Sequence, residues 1–303
     1  MRIFNNEKIS KNYKGSALAI GNFDGVHIGH QKVFNKTKEF AKKENIKFGI
    51  LTFTPLPVMF FNKEIKNFRL ASEKQKLKLL KKNKVDFTIN INFNKKFSKI
   101  KAKEFIEKII FKKINPKSLS VSNNFKFGRN RQGNVKLLKK FSKKFNYKLL
   151  NISPFKNLKK VVSSTQIRKC LRSGNINLAN KLLSRTWFIE GRVIEGKKIG
   201  RKLGYRTCNI NIKNYILPKI GIYAVKVLIN NKKRVYDGIA YLGSRPTFNG
   251  KKIFLETNIF GIKKNLYKKN LRVFFLKFLR KDLKFGNSQQ LIKQMNKDVI
   301  SAK

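Results

Sequence analysis

The chain has 303 residues, 41% of them hydrophobic, with 72 Lys and Arg against 15 Asp and Glu and a formal net charge of +57. That length holds one large or two ordinary domains with a sizeable core. No run approaches the ~18 uninterrupted apolar residues of a membrane helix. The first residues lack a signal-peptide pattern, and Cys170 and Cys208 form no CxxC pair, so a cytoplasmic protein without a membrane role is expected.

The first 185 residues alternate between two grammars. SALAIGNF (16–23) reads as a buried strand, and 29–43 has helical spacing. IKFGILTF (46–53) is strand-like, a charged helix is expected around 72–82, DFTINI (86–91) is a strand, and 102–111 is helical. LSVSN (119–123), a helix near 134–145 and KLLNI (148–152) complete the series, followed by short helices at 165–172 and 176–183. Strands alternating with helices imply an α/β domain, Rossmann-like, with a parallel sheet. After Arg185 the pattern changes to β-rich runs: WFIEGRVI, GIYAVKVLI, RVYDGIAYL, IFLETNIF and LRVFFLKFL, with a closing helix at 288–300. These suit a compact antiparallel β-barrel, and the expected domains are 1–185 and 186–303.

The charge has a bland reading. Lysines are spread through every segment together with Asn, Ile and Phe, and no basic arm stands out. Compositional drift accounts for this better than a nucleic-acid footprint, which would concentrate Lys and Arg with interleaved aromatics on one surface. What remains is a field that draws anionic substrates. Nothing in the sequence fixes the oligomeric state.

The first chemical signal is GNFDGVHIGH (21–30), which contains His27 and His30, the two histidines of the chain. An apolar strand delivers the turn Gly21-Asn22-Phe23-Asp24-Gly25, and a helix starts soon after. Such junctions aim backbone N–H groups and the positive helix end at anions. His27 and His30 share one face at i and i+3, and Gly29 between them allows close approach by a phosphate chain. Two imidazoles there suit charge stabilisation at phosphorus better than metal binding, which wants a third protein ligand.

These residues resemble the HxGH signature of the nucleotidyltransferase superfamily, and in the longer form GNFDGVHxGH the adenylyltransferase half of bacterial bifunctional riboflavin kinase/FAD synthetases. The resemblance implies that His27 and His30 are catalytic, contacting ATP phosphates as the α-phosphate is attacked, while Gly21, Asn22, Phe23, Asp24 and Gly25 bind nucleotide. The second signature of that superfamily is matched by VSSTQIR (162–168), which implies nucleotide contacts from Ser163, Ser164, Thr165 and Arg168. TFTPLPVMFF (52–61) is similar to a flavin-side Pro-rich turn, with Pro55 and Pro57. NNFKFGRNRQGN (123–134) is similar to a second flavin loop, with Asn124 and Phe127. Thr54 and Leu56 stand where Glu and His are common, and Asn124 where Asp is usual.

The C-terminal half is similar to the flavokinase pattern. EGKKIGRKLGYRTCNI (195–210) carries Gly196, Gly200 and Arg201 for nucleotide, and Thr207 and Asn209 as ligands of Mg²⁺, a cation that favours oxygen donors. LETNIFG (255–261) places Glu256 as the catalytic base, and Arg280 lies in a closing segment read as flavin-binding. Arg206 replaces the proline of the pattern, Cys208 an alanine, Asn258 a histidine and Gly261 an aspartate. The resemblance implies a bifunctional enzyme with riboflavin, FMN and ATP as substrates: riboflavin becomes FMN, then FMN becomes FAD and pyrophosphate. The alternatives are a FAD synthetase with a decayed kinase half and, from another class, a basic nucleic-acid-binding protein. No GxxxxGK(S/T) is present, which excludes a P-loop kinase.

Overall fold

The computed structural model describes the chain apart from residues 158–159, 196–203, 213, 231, 233, 248–249 and 263, and gives only the backbone at 244–247 and 250–252. The chain forms two compact units, one of Met1–Lys66 with Ala71–Ser163, the other of Asn67–Leu70 with Ser164–Lys303.

The first unit is built on a six-stranded parallel sheet. Its strands are β1 (Arg2–Phe4), β2 (Ala17–Ile20), β3 (Phe48–Thr54), β4 (Phe87–Asn92), β5 (Ser118–Ser122) and β6 (Lys148–Ile152), in the order β1-β4-β3-β2-β5-β6. Central β2 is buried along its whole length, with Leu18 and Ile20 in one apolar cluster and Ala17 and Ala19 in the other. That two-sided burial is why the strand reads as a continuous apolar run, as parallel strands covered by helices on both faces do. The helices include α1 (Ile28–Lys43), α2 (Pro57–Phe61), α3 (Glu73–Lys82) and α4 (Val135–Lys144). Local capping sets three of them. His27 caps α1, Asn134 caps α4, and Ser72 with Gln75 forms a reciprocal capping box on α3.

The strand order has a functional consequence. The chain runs outward from β2 through β3 and β4, then returns to place β5 on the other side of β2. The reversal lies between β2 and β5, and in open α/β sheets ligands bind beyond the carboxyl ends of the strands at such a point. The turn beginning at Gly21 leaves β2 there, and the loop beginning at Asn123 leaves β5 there.

Parts of the first unit differ from the sequence reading. β1 escapes it, because a three-residue edge strand with exposed Arg2 and Ile3 has no periodicity to detect. The helix expected at 102–111 runs from Ala102–Glu104 into a π-helix over Phe105–Ile114, so it continues three residues further.

The second unit contains a closed barrel. Strands β7 (Phe188–Ile194), β8 (Thr207–Ile210), β9 (Gly221–Ile229), β10 (Val235–Thr247), β11 (Gly250–Ile259) and β12 (Asn270–Arg280) close in the order β8-β11-β10-β9-β12-β7, all pairs antiparallel. Trp187 and Tyr223 flank Phe275 with ring centroids 4.9 and 5.0 Å away, all three fully buried. Helices α5 (Ser164–Ser173) and α6 (Ile176–Leu183) belong to this unit. Asn180 explains the attachment of α6: its amide donates to Phe275 O at 3.0 Å and its carbonyl accepts from Trp187 N at 2.7 Å. The compact units therefore divide at Ser163/Ser164, ahead of the change of pattern at 185.

Helix α7 (Ser288–Ala302) closes the chain. Among the described residues no helix is long and apolar enough to cross a membrane.

Candidate active site

In the first unit the turn after β2 is tightly bent. Phe23, Gly25 and Val26 all have positive φ, at 48°, 81° and 42°. Two of these are non-glycine residues, whose left-handed backbones cost of order 1–3 kcal/mol each and persist only where the surroundings hold them. Phe23 is held by burial and by edge contacts of its ring with His30 (5.3 Å) and Phe34 (4.9 Å). Asp24 is 4% exposed, and its Oδ1 accepts from the Ala71 N–H at 3.4 Å.

His27 and His30 are stacked, ring centroids 3.5 Å apart and planes 21° from parallel. The His30 N–H donates to His27 Nδ1 at 3.3 Å. Because Nδ1 accepts, the proton of a neutral His27 ring resides on Nε2, which is thus a donor. Gly29 is tight for a specific reason. A Cβ on it would stand 3.1 Å from Cε1 and Nδ1 of His27 and 3.3 Å from Val162 O. The HIGH and VSS segments, far apart in sequence, thus meet at Gly29, and Ser163 follows Val162 directly.

The remaining residues of the second motif lie in the second unit. Ser164 opens α5 and Thr165 is exposed. Arg168 is 7% exposed, its Nε donates to Phe68 O at 2.8 Å, and its guanidinium lies 3.6 Å from the centre of the Phe68 ring.

Of the expected flavin residues, Pro55 lies between β3 and α2 and Pro57 opens α2, both half-buried at the carboxyl edge of the sheet. Asn124 is exposed and its Oδ1 accepts from the Ser122 hydroxyl at 3.0 Å. Phe127 is 7% exposed. It packs against Phe105 and Phe125 (5.5 and 5.4 Å), and its backbone pairs with Gly133. Phe127 thus anchors the base of its loop in the core.

In the barrel, the β8–β11 register is informative. Asn209 faces Glu256 and Thr207 faces Asn258. Directly opposed residues bring Cβ atoms to about 4.5–5.5 Å, and residues two apart share a face, so all four side chains lie together. The intervening pair, Cys208 and Thr257, points the other way, and Thr257 is fully buried. Burial pushes the Cys208 thiol up to about 11. Asn258 Nδ2 donates to Arg206 O at 2.8 Å, fixing the carbonyl immediately before Thr207. Arg280 is clamped, with Nε and Nη2 donating to Asp298 at 2.8 and 2.6 Å and Nη1 to Lys281 O at 3.0 Å. Asp298 also accepts from Gln294 at 3.0 Å, so Arg280 ties β12 to α7. Gly196, Gly200 and Arg201 lie outside the described residues.

Comparison with known proteins covers both halves. The family model for FAD synthetase matches residues 9–166, and that for riboflavin kinase matches residues 183–303. A Buchnera aphidicola subsp. Schizaphis graminum protein called bifunctional riboflavin kinase/FMN adenylyltransferase is 41% identical over 301 residues, 98% of this chain and 95% of that one. The chain belongs to the bifunctional riboflavin kinase/FMN adenylyltransferase family. Relatives of that name from Haemophilus influenzae and Escherichia coli (strain K12) are 37% and 31% identical, each across 96% of this chain and 94% and 92% of their own. Among solved structures, a Streptococcus pneumoniae chain described as a macrolide-efflux protein matches with a TM-score of 0.89 at 26% identity, covering 99% of this chain and 97% of that one.

Sequence reasoning missed the buried Lys76, whose Nζ donates to Thr52 Oγ1 at 3.3 Å, and the Asn258–Arg206 bond. Lys76 resembles every other lysine on paper. The bond joins residues 52 positions apart, a distance no local pattern reports.

Proposed function

We propose that this chain performs both reactions of its family, with residues 186–303 forming FMN from riboflavin and residues 1–185 forming FAD from FMN. The observation that carries the proposal is a pair of built sites, the stacked His27–His30 pair at the switch point of the sheet and the Thr207, Asn209, Glu256 and Asn258 face of the barrel.

In the first reaction the ribityl 5′-hydroxyl attacks the γ-phosphate of ATP. Glu256 accepts the hydroxyl proton as the new O–P bond forms and ADP leaves. Thr207 and Asn209 offer neutral oxygen donors on one face beside that carboxylate, a set that fits Mg²⁺, which favours oxygen ligands and takes others from phosphates. When bound, the ion would neutralise charge developing on the transferring phosphate. Asn258 holds the Arg206 carbonyl and so aims Thr207, a role suited to a chain with arginine in place of the family's proline. Gly196, Gly200 and Arg201 keep the ATP contacts their motif implies. We assign Arg280 to positioning, since its clamp on Asp298 sets α7 against β12.

In the second reaction an FMN phosphate oxygen attacks the α-phosphorus of another ATP, and the bond to pyrophosphate breaks. The nucleophile is already anionic, so no protein base is needed. His27 donates through Nε2 to the phosphate charge and His30 stacks behind it. The backbone of Gly21–Gly25 and the buried Asp24 shape the nucleotide site. Ser163, Ser164, Thr165 and Arg168 keep the triphosphate role their motif implies, while Pro55, Pro57, Asn124 and Phe127 form or support the flavin side. Free cysteines fit a cytoplasmic setting, and the +57 charge draws the anionic substrates.

The test is chromatography of riboflavin, ATP and Mg²⁺ incubated with the purified chain. FMN followed by FAD is expected. FAD from supplied FMN with riboflavin untouched would restrict the chain to adenylyl transfer, and no product from either substrate would overturn the proposal.

A further inference from the structure

Lys76 is an anomaly on two counts. Its side chain is 3% exposed and it is the one buried lysine among the described residues, and a lysine is rarely buried without a specific partner. It also sits in the first turn of α3, where the positive end of the helix disfavours a cation. The surroundings answer both costs. Lys76 Nζ lies 3.1 Å from a Glu73 carboxylate oxygen and donates to Thr52 Oγ1 at 3.3 Å.

The contact with Thr52 has a direction. An ammonium only donates, so the Thr52 oxygen accepts from it, and the one hydroxyl proton is committed to its other partner. That partner is Asn22 O, 3.1 Å away. Thr52 is completely buried on β3, so no water competes for the proton. Asn22 opens the strained turn in which Phe23, Gly25 and Val26 take positive φ and which leads into His27. The relay Lys76–Thr52–Asn22 therefore grips the turn at its entrance, while Ala71 N–H grips Asp24 further along.

We infer that Lys76 is a positioning residue for adenylyl transfer, fixing the Asn22–Gly25 turn through the Thr52 hydroxyl. The inference rests on the reading of Gly21–His30 as the adenylyl-transfer site. A buried ion pair that served stability alone would act through Glu73 and be indifferent to Thr52. A positioning role requires the hydroxyl.

The experiment measures FAD formation from FMN by Lys76→Met, Thr52→Val, Thr52→Ser and the Lys76→Met/Thr52→Val double variant, with His27→Ala alongside. Lys76→Met is expected to lower kcat/KM for ATP by about 10- to 100-fold, the scale of a sub-ångström misplacement, with KM for FMN changed less than about threefold. Thr52→Val should reproduce the loss, Thr52→Ser should recover most of it, and the double variant should be no worse than the weaker single one. Lys76→Met activity within about threefold of the parent, or multiplying losses in the double variant, overturns the inference. Should Lys76→Met fail to fold, the Thr52 pair decides alone: a fully active Thr52→Val chain overturns it. FAD formation that survives His27→Ala would overturn the underlying reading of the site. Loss with His27→Ala beside an unaffected Lys76→Met would overturn only the role of Lys76.

Discussion

Gly29→Ala separates stability from catalysis at the histidine pair. Gly29 lies in the first turn of α1, where alanine gains up to about 1 kcal/mol of helix propensity over glycine. For a unit of this size that raises Tm by at most about 2–4 °C. The new methyl would stand 3.1 Å from the His27 ring and 3.3 Å from Val162 O. Ordinary carbon contacts are ~3.5–4.0 Å, so a few tenths of an ångström must be found. Val162 O is backbone on the far side, and the His27 ring is held by the His30 N–H and by stacking at 3.5 Å. The ring is the softer partner and yields, carrying Nε2 away from its target. Complete loss of one preorganised donor costs about 10²–10³ in kcat, and a partial shift should cost about 10- to 50-fold. Stopped-time chromatography of FAD from FMN and ATP, paired with a thermal melt, measures both quantities. FAD formation within twofold of the parent, with Tm unchanged, would refute the argument that glycine is required for the placement of His27.

Three further outcomes follow from described contacts. Asn258→Ala should free the Arg206 carbonyl and slow riboflavin phosphorylation by about tenfold, the equivalent of one hydrogen bond of roughly 1–1.5 kcal/mol; FAD formation from FMN assayed in parallel should be unchanged. Asp298→Ala should leave the Arg280 guanidinium without its carboxylate and destabilise the barrel by about 3–5 kcal/mol, read as a lowered denaturation midpoint. Cys208, pushed up to about 11 by burial, keeps its proton at pH 8, so iodoacetamide should label it far more slowly in the folded chain than in urea. The sign of the linked stability is definite: burial favours the neutral thiol, so its contribution is present below the unfolded pKa of about 8.5 and is lost as pH rises towards 11.

The sequence is most legible where chemistry is rare. Two histidines in 303 residues, three apart at the end of an apolar run, mark the first candidate site, and the structure stacks them. The β-rich half is legible as a barrel because its runs are short, β-rich and joined by Gly, Asn and Lys turns. The pairing that sets Glu256 opposite Asn209 is a matter of register and had to be seen. Composition hid Lys76, since one buried ammonium cannot be picked out among 72 basic residues. Arg280 and Phe127 show the converse difficulty. A motif identifies a position, and only packing shows what that side chain also holds: Arg280 binds Asp298 and Phe127 packs against Phe105.

The assignment of Asn67–Leu70 to the second unit changes what it would mean to divide this protein. Phe68 supplies the carbonyl and ring that hold Arg168, Leu70 O accepts from Trp187 Nε1 at 2.8 Å, and Arg69 forms a parallel bridge with Tyr215. The polypeptide therefore enters the C-terminal unit, returns to finish the N-terminal one, and enters again. A gene split at any one position would strip four residues from the barrel half or carry part of it away. Two activities read from a single message are thus bound together by threading as well as by fusion, since the four residues from Asn67 to Leu70 belong to the C-terminal unit while the chain on either side of them belongs to the N-terminal one.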